Sequence, residues 1–231
     1  YLFRGHWNGF SSSDFNIDII DIPYLDNHSI SEPTYVAQDI LATDGNIGSN
    51  DITVDGNYLY VVFSNSNTGE QKLIIYDITD PSAPAERGGC DININPLEIS
   101  VEGDYAYITS SDTLQVVDIS SPSNPQLVGS DTNSFYNSRL TVRNGFGFFV
   151  YNGNVCVVNL LNRTAPFIAS VISSSSWVRA IAASDNYIHR TIGISAETID
   201  MSLKAFPSAS TGSFAVDPGG TVNDACAAGN Y

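Results

Sequence analysis

The sequence predicts an all-β fold built from one repeated, four-stranded motif, and three observations carry that reading. Four signature positions, Asp77, Asp118, Asn159 and Asp200, stand 41 residues apart, and Asp21 stands 56 residues before the first. Each closes a β-rich run: Ile17-Asp-Ile-Ile-Asp21, Leu73-Ile-Ile-Tyr-Asp77, Leu114-Gln-Val-Val-Asp118, Val155-Cys-Val-Val-Asn159 and Ala196-Glu-Thr-Ile-Asp200. Prolines follow soon after (Pro81 and Pro84, Pro122 and Pro125, Pro166, Pro207), and a residue that cannot donate to a ladder marks the turn between strands. The end of the chain also runs into its beginning. Asp224 to Tyr231, continued at Tyr1-Leu2-Phe3, reproduces Leu97 to Ile108 and Asp51 to Tyr60, with Tyr231 in the place of Tyr58 and Tyr105. Ends that match in repeat phase belong to a closed ring of repeats or to a head-to-tail array.

Each repeat holds four apolar runs separated by turn residues, the count and period of propeller blades. Five signatures give a five-bladed β-propeller of four-stranded antiparallel blades, one domain over residues 1–231. The first blade is completed by both termini: strand A is 224–229, B is Tyr231 with 1–7, C is 16–22 and D is 34–40. In the third blade the runs are 97–101, 104–110, 114–119 and 126–131, and Gly-Asn-Tyr or Gly-Asp-Tyr between A and B reads as a tight hairpin. The fifth blade departs most. Asp185-Asn-Tyr187-Ile-His189-Arg190 puts charge where other blades have Tyr-Val or Tyr-Ile, and its strand D, 206–214, is Ser-rich. No helical stripe competes, and no apolar run is long enough to span a membrane. A single domain of this length buries roughly 70–75% of its unfolded surface. Tyr1 falls in mid-strand, as expected of a mature or trimmed chain.

The runs Leu114 to Gly129 and Leu73 to Pro84 resemble the LVIVD-repeat β-propeller family, and the resemblance is strongest across 51–172. It implies a bacterial or archaeal propeller that is exported or held at the cell surface. The family has no common activity, so the resemblance speaks to fold more than to function.

Composition narrows the partners. The formal net charge is −16 and the only lysines are Lys72 and Lys204. Phosphate-rich nucleic acid and anionic membrane surfaces both need a basic face, so neither is expected as a partner. An acidic, Lys-poor, Ser/Asn/Thr/Gly-rich chain fits an extracellular or cell-surface setting. Cys90, Cys156 and Cys226 are odd in number. Three free thiols are expected, with a Cys90–Cys156 bridge as the alternative. Cys156 takes the place of Gln115, Asp18 and Glu197, which predicts partial exposure. No Cys/His spacing suits zinc or haem. Asn27-His-Ser29 and Asn162-Arg-Thr164 are N-glycosylation sequons on turns after strand C.

Superposing the repeats on their A–B turns brings Asp51, Glu98, Arg139, Ala180 and Asp224 to one place near the start of strand A, around the axial channel. Such a channel-mouth ring suits a cation, a sugar or acid–base chemistry. The structural alternative is that the acids bond backbone N–H groups of the next blade. The longest connections, 8–15, 41–50 and 64–71, open on the same end, and so do the aromatic residues Trp7, Phe10, Phe135, Tyr136 and Trp177. Aromatic faces flanked by polar groups suit a glycan or protein contact, although the same rings could cap gaps between blades. Asp44, Asn46 and Asp51 lie in a Gly-rich stretch with oxygen ligands, a calcium candidate without EF-hand spacing. His6, His28 and His189 are scattered, and His189 takes the place of Tyr60, Tyr107 and Phe148, so a packed histidine is expected there. No nucleotide-binding loop, zinc-protease motif or nucleophile elbow appears.

The expectation is a non-enzymatic extracellular module, with no cofactor, that contacts a glycan or protein or packs with copies of itself. The alternative is a glycoside hydrolase using Asp51, Glu98 and Asp224 as acid, base and modulator. That would require two carboxyl groups about 5–9.5 Å apart, one of them with a raised pKa.

Overall fold

The computed structural model describes residues 2–7, 15–21, 34–37, 47–132, 140–174, 177–192, 195–200 and 210–215. All the regular structure among these residues is β. The first sheet holds β1 (Leu2–Trp7), β2 (Phe15–Asp21) and β3 (Thr34–Ala37). The second holds β4 (Ile47–Asp55), β5 (Tyr58–Asn65), β6 (Gln71–Asp77) and β7 (Ala85–Asp91). The third is β8 (Glu98–Glu102), β9 (Tyr105–Thr109), β10 (Thr113–Asp118) and β11 (Gln126–Thr132). The fourth is β12 (Leu140–Arg143), β13 (Phe146–Tyr151), β14 (Asn154–Asn159) and β15 (Phe167–Ile172). The fifth is β16 (Val178–Ala183), β17 (Tyr187–Ile192), β18 (Ser195–Asp200) and β19 (Ser210–Ala215). Each sheet pairs its strands in sequence order, the last four being four-stranded.

The repeat reading therefore holds at the level of strands. The five signature residues close β2, β6, β10, β14 and β18. Of the run expected at 206–214 in the last repeat, 210–214 fall in β19, and 206–209 lie outside the described residues. Strand A of the first repeat, 224–229, lies outside the described residues, as do Tyr1 and Tyr231. No helix among the described residues is long and apolar enough to cross a membrane.

The chain divides into two compact units, Tyr1–Ile99 with Ile119–Gln126, and Ser100–Asp118 with Leu127–Tyr231. In the first unit, Ile17 and Ile19 of β2 pack with Leu59, Val61 and Phe63 of β5 and with Tyr76 and Ile78. In the second, Tyr107, Leu114 and Val116 pack with Leu140, Phe149, Cys156 and Val158. The opposite face of the fourth sheet sends Phe148, Val155 and Val157 against Val178, Ile181, Ile188 and Ile199. Neighbours in sequence such as Phe148 and Phe149 thus enter different cores. A sheet buried on both faces reads as a continuous apolar run rather than as an alternation. Each fully buried side chain of this size contributes about 1.5–3 kcal/mol.

Two of the signature residues, Asp77 and Asn159, close the C–D turn with a side-chain oxygen. Asp77 Oδ1 accepts the N–H of Thr79 at 2.8 Å, and Asn159 Oδ1 accepts that of Leu161 at 2.9 Å. A short side chain ending in an acceptor oxygen closes this turn, so Asp and Asn interchange there. Arg87 of β7 also donates to Asp77 Oδ2, from Nη2 at 2.6 Å and from Nε at 3.1 Å. The Thr79 hydroxyl and N–H, and then Arg87, hold the Asp77 carboxyl down to about 2. A lowered folded-state pKa means these bonds favour the fold above the unfolded carboxylate range and are lost as pH falls through about 2. Carboxyl-carbon NMR is expected to show Asp77 still ionised at pH 3, and a midpoint near 4 would contradict this turn.

Two glycines are notches for the following turn. A Cβ on Gly88 of β7 would lie 2.7 Å from the Pro122 carbonyl oxygen and 2.8 Å from Ser123 backbone atoms. A Cβ on Gly129 of β11 would lie 2.1 Å from the Arg163 carbonyl oxygen and 2.8 Å from Thr164 Cα. Both glycines and both turns recur at a spacing of 41 residues. The A–B turns are also clamped in series. The Glu102 carboxylate accepts the N–H groups of Asn144, at 2.5 Å, and Gly145, at 3.0 Å. Arg143 then pairs with Asp185 through both Nε and Nη2, and Asn144 Nδ2 donates to the Asp185 carbonyl.

Candidate functional site

The strongest site among the described residues is one end of the fourth and fifth sheets. The hairpin between β13 and β14 turns through Asn152 and Gly153, with φ of 47° and 76°. Positive φ at both residues is the geometry that suits a two-residue hairpin, and Asn-Gly favours it. Because Gly153 carries no side chain, Trp177 lies directly on the turn. A Cβ on Gly153 would meet Trp177 Cα at 3.3 Å and its ring at 3.4 and 3.5 Å. Trp177 is nonetheless 67% exposed, so much of the indole faces water.

Hydrogen bonds fix the surroundings. The Val178 N–H donates to the Gly153 carbonyl at 3.2 Å, and the Ser174 N–H donates to Asn154 Oδ1 at 3.0 Å. Asn154 Nδ2 donates to the Asn152 carbonyl at 3.4 Å. From the fifth sheet, Arg190 reaches Glu197 Oε2 with Nη2 at 3.0 Å and Nε at 3.3 Å, and its Nη1 lies 3.5 Å from the Ser173 carbonyl. The guanidinium is thus neutralised within its own sheet while it reaches the Ser173 carbonyl at the end of the fourth. A flat apolar face seated on a hairpin turn, next to the oriented amide of Asn154, suits stacking against one side of a sugar and orienting its hydroxyls.

The channel-mouth residues sort differently. Asp51 Oδ2 accepts the N–H of Ile99, the residue after Glu98, at 2.9 Å. This is the structural alternative anticipated for the ring, a carboxylate bracing the next repeat's first strand. At the corresponding place in the fifth sheet, the Ala180 N–H donates to Thr191 Oγ1. Glu98 opens β8, while Arg139 and Asp224 lie outside the described residues. Among the loop-face aromatics, Phe10, Phe135 and Tyr136 also lie outside. Trp7 belongs to β1, where its backbone is paired with Phe15. Asp44 and Asn46 of the calcium candidate fall outside too, and no group of three His, Cys, Asp or Glu stands together among the described residues.

His189 sits in the fifth sheet between two hydroxyls, Thr198 Oγ1 at 3.1 Å from Nδ1 and Ser184 Oγ at 3.3 Å from Nε2. This is the packed histidine that its repeat position predicts. His6 is a β1 residue paired with Asn16, and His28 is outside the described residues. Cys90 and Cys156 are free thiols, so the bridge between them is absent. Cys156 is buried, not partly exposed: it packs with Tyr107, Leu114 and Val116 because its sheet has a core on each face. Burial raises both thiols to about 11, which leaves them protonated and inert at neutral pH. Cys226 lies outside the described residues. Of the sequons, Asn162 is on an exposed turn and Asn27 is outside.

The Arg190–Glu197 pair escapes a linear reading because seven residues separate its members. The hairpin register reveals it, since the same pairing joins Val61 with Ile74, Ile108 with Gln115 and Phe149 with Cys156. In the first sheet it joins Arg4 with Asp18.

The LVIVD repeat model matches residues 48–92 and 97–132. No curated protein matches the sequence. Among solved structures, a Kluyveromyces Hsv2 β-propeller with loop 6CD replaced by a Gly-Ser linker is similar in fold, with a TM-score of 0.54 and 10% identity. The similarity covers 88% of this chain and 60% of that one, so the chain spans less than two thirds of its length.

Proposed function

From a chain with LVIVD repeats over 48–92 and 97–132 and a propeller-like fold of four-stranded sheets, we propose a non-enzymatic, extracellular or cell-surface module that binds a neutral glycan through Trp177. The five sheets serve as five blades, and both chain ends share the first. Support for that closure comes from residues 224–229, which match strand A in sequence, and from β1, which is an edge strand of its sheet among the described residues.

The observation that carries the binding reading is the 67% exposed indole seated on Gly153. A ring that plugged a gap between sheets would be buried. Neutral rather than acidic sugars fit a chain of net charge −16 whose nearby Arg190 is already paired. The hydrolase alternative gains nothing from Asp51, whose carboxylate is engaged by backbone.

Calorimetry on hits from a glycan array tests the reading. Trp177→Ala is expected to weaken binding about 10–100-fold, roughly 1.4 kcal/mol per decade, with an unchanged unfolding midpoint. A wild-type chain that binds no glycan, or an alanine variant that binds equally well, would overturn it.

A further inference from the structure

The C–D turn of the fourth sheet departs from its counterparts at several places at once. In the second and third sheets the turn reads Asp80-Pro81-Ser82 and Ser121-Pro122-Ser123, and in the fourth it reads Asn162-Arg163-Thr164. A proline in the middle position blocks N-glycosylation, so the fourth turn has the acceptor amide, a permissive middle residue and the required hydroxyl together. The fold does not need the amide. Asp80 Oδ1 accepts the N–H and the hydroxyl of Ser82 at 2.9 and 2.6 Å. Asn162 Oδ1 accepts the N–H and the hydroxyl of Thr164 at 3.3 and 2.9 Å. A carboxylate therefore does the same structural work, and among the described residues Asn162 Nδ2 has no partner.

A second departure surrounds the first. Leu161, immediately before Asn162, is 66% exposed, and Phe167, paired in register with Asn159, is 51% exposed. The residues 41 and 82 positions earlier are Ser120 and Thr79 for Leu161, and Gln126 and Ala85 for Phe167. Among the second, third and fourth sheets, large apolar groups thus stand exposed at these two places only in the fourth, whose turn carries the sequon. A sugar attached at Asn162 would be placed to cover them.

We propose that Asn162 is an N-glycan acceptor and that the first sugars shield Leu161 and Phe167. In the transfer, Nδ2 bonds to the anomeric carbon of a lipid-pyrophosphate-linked oligosaccharide. The C1–O bond to pyrophosphate breaks, Nδ2 gives up one proton, and the lipid pyrophosphate leaves. The turn lies at the opposite end of the fourth sheet from Trp177, since β14 runs from one end to the other. The glycan leaves the binding face clear.

The test is secretion of the full chain from a eukaryotic host, followed by peptide mass mapping. The peptide with Asn162 is expected to carry a hexosamine-containing increment that peptide-N-glycosidase removes, leaving Asp at 162. Asn162→Asp and Thr164→Ala are expected to lose the increment, with Asn162→Asp keeping the melting midpoint of wild-type chain made without glycosylation in a bacterial host. Enzymatic deglycosylation is expected to increase hydrophobic-dye binding, and the double variant Leu161→Ser, Phe167→Gln to abolish that increase. An unmodified Asn162 in secreted protein overturns the acceptor assignment. Dye binding that ignores deglycosylation overturns the shielding.

Discussion

Gly129→Ala is expected to destabilise the protein by about 3 kcal/mol, the upper end for overpacking a well-filled site. The reason is the nature of the neighbour. The added methyl would stand 2.1 Å from the Arg163 carbonyl oxygen, 2.8 Å from Thr164 Cα and 3.0 Å from the Arg163 carbonyl carbon, all backbone atoms. A flexible side-chain end could swing away, but this turn cannot. It is held by the Asn159 and Asn162 acceptors within it, and Arg163 lies 5.0 Å from the ring centre of Tyr105 and 5.6 Å from that of Tyr107. Gly88→Ala meets Pro122 and Ser123 backbone at 2.7–2.8 Å and should cost somewhat less. Gly103→Ala is the control. Its methyl would enter open space, but its φ of 58° leaves a cost of roughly 1–2 kcal/mol from backbone strain alone. Urea titrations should rank the midpoints Gly103→Ala above Gly88→Ala above Gly129→Ala at constant slope. Equal midpoints for Gly129→Ala and Gly103→Ala would show that the notch is not filled.

Glu197→Ala should cost about 2–3 kcal/mol, because it strands a guanidinium. Removing one partner of a buried pair leaves the other charge uncompensated, at about 3–5 kcal/mol when fully enclosed. The Arg190 side chain is 8% exposed but Glu197 is 24% exposed, so water reaches the pair and the expectation sits below that range. The repeats themselves supply the rescue. Val61 with Ile74 is the apolar version of the same cross-strand pair. Arg190→Val combined with Glu197→Ile is expected to recover most of the loss, or to exceed wild-type stability. If the double variant were no better than Glu197→Ala, the cost would come from lost packing rather than from a stranded charge.

Much of this architecture is legible in the residues because the turns demand specific chemistry. Asp77 and Asn159 both close a C–D turn with one side-chain oxygen, so the 41-residue spacing survives exchange of acid for amide. The strands are legible because burial on both faces writes Phe146-Gly-Phe-Phe-Val150 and Val155-Cys-Val-Val158 as unbroken runs. The site is harder to read. An aromatic residue in a connection has the same letter whether it plugs a gap or faces water, and only the missing side chain of Gly153 explains how Trp177 is seated. Cys156 shares its place with Gln115 and Asp18, whose polarity suggests exposure, yet all three are buried. Asp51 reads equally as a ligand or as a brace until its partner, the Ile99 N–H 48 residues away, is seen.

The notches at Gly88 and Gly129 bear on how such a chain lengthens. Each is a socket, and the turn 34 residues later is its plug, as with Pro122 for Gly88 and Arg163 for Gly129. Socket and plug both recur with the period of the repeat, so a duplicated segment of 41 residues would arrive with mating parts on both sides. Joints of this kind fix the order in which neighbours mesh but not how many there are. A copy of the segment from one notch to the next is therefore expected to keep both joints, and the number of sheets has to be set elsewhere in the chain.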